Sequence, residues 1–201
     1  LAAVLELPVT TPPREWVLTS LHAVTDLTES RPTFRSTHTL RVVSPYLTEI
    51  TERISFPGAE PGADPGFKVS GDCALVRVER SFQVSWTITM RLSRNFACGE
   101  LITYSLSVRA PSRRLVHPMS VILPERECRS FTTEVNFGRP SVAARVWRLD
   151  GVPAPAAELE QPTGVLLDPH REPVLRATYY DMVRGRVYGL RWQWADGIDG
   201  G

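Results

Sequence analysis

Lysine is nearly absent from this chain: of its 23 basic residues only Lys68 is a lysine, and the rest are arginine. We attribute that bias to a GC-rich coding sequence. The net charge of +1 excludes a strong nucleic-acid footprint spread over the whole chain. Cysteine is also scarce. Cys73, Cys98 and Cys128 are too few and too far apart for a disulfide framework or a metal knuckle, and read as free thiols of a reducing compartment. No apolar run approaches the roughly 20 residues of a membrane helix. Leu1 to Val9 is apolar but has neither a basic leader nor a small-residue cleavage site, which argues against a signal peptide. His22, His38, His117 and His170 are scattered without paired spacing. There is no G-x-S-x-G elbow, no G-x-x-x-x-G-K phosphate loop and no D-x-D-x-D-G calcium loop, and Asp168 and Asp181 have no evident shared site. The expectation is a protein that is not an enzyme, with no catalytic residue, no metal and no cofactor.

What the chain does have is alternation. In F-Q-V-S-W-T-I-T-M-R-L, Phe82, Val84, Trp86, Ile88, Met90 and Leu92 occupy every second position, the period of a strand buried on one face. Ile102, Tyr104, Leu106 and Val108 repeat the pattern after a connection short enough for a hairpin. Phe34, Ser36, His38, Leu40 and Val42 share one face of another strand. Ile50, Glu52, Ile54 and Phe56 give a weaker one. Trp16 to Leu27, Cys73 to Glu79, Ser120 to Leu123, Phe131 to Phe137, Val142 to Leu149, Val165 to Asp168, Val174 to Tyr180 and Val187 to Trp194 add further candidates.

The fold class expected is therefore all-β. Two tandem immunoglobulin-like sandwiches are favoured, with one large sandwich as the alternative. Residues 1–14 read as the end of an upstream helix, stopped by Pro8, and a proline-stiffened linker. Residues 15–115 form the first sandwich and 116–195 the second, divided near the P-S-R-R-L-V-H-P segment, with a disordered tail at 196–201. Pro57-Gly58, Pro61-Gly62 and Pro65-Gly66 specify turns in an exposed loop. The halves also echo each other. Gly99 to Val108 and Gly185 to Trp192 both run from a glycine to a tyrosine, with apolar residues two and four positions later, and such a tyrosine closes a corner in immunoglobulin-like sandwiches.

One concentration of residues suits ligand binding. Trp147, Tyr180, Tyr188 and Trp192 combine apolar area with polar tips, and Arg176 or Arg191 could meet an anionic group at the mouth of a pocket they formed. Alternation puts Arg191 on the face opposite Trp192, so a dry aromatic core is an equal expectation.

The segments T-F-R-S-T-H-T-L-R-V-V-S-P-Y-L-T-E-I, R-L-S-R-N-F-A-C-G-E-L-I-T-Y-S-L, V-I-L-P-E-R-E-C-R-S-F-T-T-E-V-N-F, A-A-R-V-W-R-L-D-G-V-P and R-G-R-V-Y-G-L-R-W-Q-W resemble the long C-terminal region of actinobacterial helix-turn-helix transcriptional regulators of the Xre type. Leu1 to Val9 resembles the closing helix of their DNA-binding domain. The resemblance implies a cytoplasmic regulator whose C-terminal region senses a ligand, binds a protein partner or sets the oligomeric state as a homodimer. DNA would be contacted only through a domain upstream of this chain. The alternative is a carbohydrate-binding or adhesion sandwich of a secreted protein.

Overall fold

The computed structural model describes residues 15–56, 64–82, 85–124 and 128–195. The expected upstream helix, the linker, the tail and most of the Pro-Gly loop lie outside these residues. Thirteen strands follow one another with almost no helix: β1 (Trp16–Asp26), β2 (Thr33–Val42), β3 (Leu47–Ser55), β4 (Gly66–Gly71), β5 (Cys73–Phe82), β6 (Ser85–Phe96), β7 (Leu101–Arg109), β8 (Met119–Ile122), β9 (Ser130–Asn136), β10 (Ala143–Pro153), β11 (Val165–Leu167), β12 (Val174–Tyr180) and β13 (Arg186–Trp194). A 3-10 turn at Arg113–Leu115 and a four-residue helix α1 (Ala154–Ala157) are the helical elements described. The fold is an all-β sandwich. No helix among the described residues is long and apolar enough to cross a membrane.

The strands form three sheets, ordered β12-β9-β1-β2-β7-β4, β11-β10-β13-β8 and β3-β6-β5. Tyr104 on β7 reaches Glu52 on β3, and Phe34 on β2 meets Phe56 just after β3, so the β2–β7 part of the six-stranded sheet is covered by the three-stranded one. At the other end Tyr179 of β12 packs edge-on to Tyr188 of β13, and Phe137 after β9 packs edge-on to Trp192, under the four-stranded sheet. The six-stranded sheet is continuous because β1 pairs with β9 in parallel, from Ser20↔Ser130 to Asp26↔Asn136. It therefore runs through both segments expected as sandwiches, and their boundary falls at the end of the 3-10 turn.

Local chemistry accounts for the registers. Leu18 and Leu21 are both buried although they are three apart, because a bulge between Leu18 and Ser20 switches the phase of β1. Trp86 is buried, as its place in the alternation requires, on the central strand of the three-stranded sheet, with Phe56 edge-on at 5.9 Å. Gly189, at φ +145°, lets β8 approach β13, since a Cβ there would lie 2.2 Å from the Ser120 carbonyl oxygen.

Two expectations are corrected. Phe82 to Leu92 is not one strand: Phe82 ends β5 and pairs with Ser85, the first residue of β6. The apolar spacing in the sequence runs on across the two intervening residues, so periodicity by itself could not reveal the reversal. Nor do β6 and β7 form a hairpin. They belong to different sheets, and Gly99 and Glu100 hydrogen-bond across to Val42 at the end of β2 instead.

Candidate functional site

The six residues singled out for ligand binding lie in three places. Tyr188 and Trp192 face the main core from β13: Tyr188 accepts a hydrogen bond from the Val183 N–H at 2.9 Å, and Trp192 is wedged between Phe137 and Trp194. Trp147 is directly opposite Arg191 in the β10–β13 register, on the other face of that sheet. There it is buried in a second apolar cluster with Met119, Leu149 and Val187, covered by Ala157 of α1. The Arg191 guanidinium donates to the Glu158 carbonyl at 3.3 Å, just beyond α1. Tyr180 and Arg176 are exposed on β12, an edge strand of the six-stranded sheet. The structure thus brings together Tyr188 with Trp192, and Trp147 with Arg191, on opposite faces of one sheet.

The tyrosine echo divides in the same way. Tyr188 closes a corner onto backbone five residues upstream. Tyr104 instead donates its hydroxyl proton to the Glu52 carboxylate, in a polar network that sequence reasoning did not assemble. His38 stacks on the Tyr104 ring at 4.7 Å and 9°, has Nδ1 3.5 Å from Glu52, and shares a 2.8 Å hydrogen bond between Nε2 and Ser36 Oγ. All four side chains are buried. Burial holds the His38 pKa below its usual 6.5, with the Glu52 carboxylate opposing that shift. Burial, followed by Glu52, pushes the Tyr104 hydroxyl well up, and raises the Cys73 thiol to about 12. The second oxygen of Glu52 is buried without a partner. Closed off from solvent, the network ties β3 to β2 and β7. Its sequence signal was the placing of His38 and Glu52 at inward positions of alternating strands.

Between β3 and β8, over β1 and β2, lies an apolar cavity of about 70 Å3 lined by Leu21, Phe34, Ile54, Phe56, Met119 and Phe131. That is well below the roughly 300 Å3 at which drug-sized ligands are held. No group of three or more His, Cys, Asp or Glu among the described residues could hold a metal ion. All three cysteines are free thiols, Cys98 exposed and the other two buried.

Another feature able to make contacts is a sheet edge. β12 pairs with β9 over seven residues, Val174↔Asn136 to Tyr180↔Ser130, without a register shift. Its outer edge has no partner strand among the described residues. Val174 is 44% and Tyr180 71% exposed, and Val183 just beyond is 60% exposed. The other sheet edges are blunted. β4 is six residues long, bounded by Gly66 and Gly71, and carries Lys68. β5 has two register shifts and β3 one. β8 has four residues and β11 three. Short, charged or bulged edges resist pairing with other chains.

No family model matches the chain, and no curated protein matches it. Among solved structures it is similar to an M1 zinc metallopeptidase from Deinococcus radiodurans, at 13% identity and a TM-score of 0.45, over 88% of this chain and 42% of that one. It is likewise similar to a mutant of a two-domain M1 zinc metallopeptidase bound to L-tryptophan, at 11% identity and a TM-score of 0.43, over 88% of this chain and 43% of that one. The chain spans less than half the length of these proteins, and likeness at this level carries no argument about activity.

Proposed function

We propose that the chain is a non-catalytic self-association region of a larger cytoplasmic regulator, pairing two copies through β12. The observation that carries this reading is the unpaired edge of β12, which is longer than β4, β8 and β11 and free of the register shifts of β3 and β5. The strand is also self-complementary. An antiparallel pairing about a two-fold axis at Ala177 sets Val174 opposite Tyr180 of the second copy, Leu175 opposite Tyr179 and Arg176 opposite Thr178. Branched and aromatic residues then meet across the strands, and no like charges do. The six-stranded sheet would continue into its twin. One edge of seven residues makes an interface at the small end, below about 1,200 Å2, which suits a reversible dimer in the micromolar range. A DNA-binding domain upstream, as the Xre resemblance implies, would benefit from two copies held at a fixed spacing. The free thiols fit a reducing compartment.

Sedimentation equilibrium tests this. The chain should dimerise reversibly. Thr178→Lys should weaken the dimer roughly fivefold by placing a lysine opposite Arg176 twice over, and Arg176→Glu combined with Thr178→Lys should restore it. A monomer at about 100 μM, well above a micromolar dissociation constant, would exclude the pairing.

A further inference from the structure

The outward face of the six-stranded sheet carries a second feature, at the end away from β12. Arg35 on β2, Arg109 on β7 and Lys68 on β4 point outward from three adjacent strands and line an open groove of about 810 Å3 with Ser70, Ser105 and Ser107. Register fixes their layout. Ser107 is opposite Arg35 on one side and Lys68 on the other, and Arg109 is two residues further along β7, opposite Thr33 and Gly66. Strands lie about 4.8 Å apart, so the backbones of Arg35 and Lys68 are about 10 Å apart, with the serine row between them. All three cations are exposed.

The three cations also lack carboxylate partners. Elsewhere some arginines have carboxylates within reach: Arg77–Glu79 at 3.3 Å, Arg91–Glu49 at 3.5 Å, Arg94–Glu100 at 2.8 Å and Arg148–Asp150 at 3.7 Å. Among the described residues, none of Arg35, Lys68 and Arg109 has such a partner. Two acids flanking these strands are already engaged: Asp26 accepts from the backbone and hydroxyl of Thr28, and Asp72 accepts from the Thr103 N–H at 2.7 Å. An uncompensated triangle of cations around hydroxyl donors is an arrangement for an anion with several charged oxygens.

We propose that this groove binds a linear polyphosphate group. The two guanidinium groups can each take two oxygens, the lysine supplies a compact point charge, and the serines donate to oxygens between them. A phosphate chain spreads its charges over a length comparable with the separation of the cations. Duplex DNA presents its phosphates on a curved surface and would need charge over a wider area than these three residues supply.

Isothermal titration of the whole chain with sodium tripolyphosphate tests the assignment, with ATP and a short duplex DNA as parallel probes. Tripolyphosphate should bind, and Lys68→Gln and Arg109→Gln should each weaken it at least about tenfold, the scale of losing one charge-assisted contact. Arg77→Gln, on another sheet, should leave it unchanged. Both groove substitutions are at exposed positions, so circular dichroism should stay constant. ATP binding as tightly as tripolyphosphate identifies the phosphate chain alone as the ligand. Tighter ATP binding assigns it to a nucleotide. No heat at millimolar tripolyphosphate, equal weakening by Arg77→Gln, or preference for duplex DNA would each overturn the proposal.

Discussion

Tyr104→Phe removes one oxygen from the core of the protein and should unsettle the contact between two sheets. The ring stays, and with it the stack on His38 at 4.7 Å. What is lost is the hydrogen bond to Glu52, whose other oxygen already has no partner, leaving His38 at 3.5 Å as the neighbour of the carboxylate. A hydrogen bond to a charged group contributes about 1.5–3 kcal/mol, and the cost rises when a buried acceptor is stranded, so we expect a loss of about 2–3 kcal/mol. Glu52→Leu strands the tyrosine hydroxyl instead and should cost a similar amount. The double substitution Tyr104→Phe/Glu52→Leu removes both ends of the bond and replaces them with apolar groups, which is often close to neutral for buried polar pairs. Urea denaturation at neutral pH, with equal m-values across the four proteins, gives the double-mutant cycle. The double variant should be more stable than the sum of the single losses, about 4–6 kcal/mol, allows, by at least about 2 kcal/mol. Losses that add to within about 0.5 kcal/mol would show that Tyr104 and Glu52 do not act as a unit, and the reasoning from the network would fail.

The depressed pKa of His38 gives a pH dependence with a definite sign: its contribution is present in full above the unfolded value of 6.5 and is lost as pH falls from there through the lower folded value, because only the unfolded chain takes up the proton easily. Melting temperature should fall below about pH 6.5, and less steeply in His38→Gln; equal slopes in the two proteins would place the acid sensitivity elsewhere. Trp86→Ala, which empties a buried site between Phe56 and the strands of the three-stranded sheet, should cost about 3–5 kcal/mol in denaturant melts, and a loss under about 1 kcal/mol would contradict the packing.

Alternation settled where nearly every strand lies, because a strand with one face in a core must place apolar residues on every second position. That is why Phe34 to Val42 and Val187 to Trp194 correspond closely to β2 and β13. The same rule put His38 and Glu52 inside before any contact was known. It could not register β4, whose Gly66, Lys68 and Ser70 alternate with residues only partly buried at the rim of the sheet. Nor could it register the reversal between Phe82 and Ser85, across which the period-2 pattern runs on. Which strands pair is also absent from the pattern, since one buried face is compatible with any neighbour offering another. The parallel union of β1 with β9 joins residues more than 100 positions apart, and only the folded chain decided it. The separation of Trp147 from Trp192 followed from the pleat, whereas the gathering of His38, Glu52 and Tyr104 from β2, β3 and β7, and of Arg35, Lys68 and Arg109 from β2, β4 and β7, required the sheets to assemble. Side-chain direction is a local property of the backbone, and proximity across strands is a property of the whole fold.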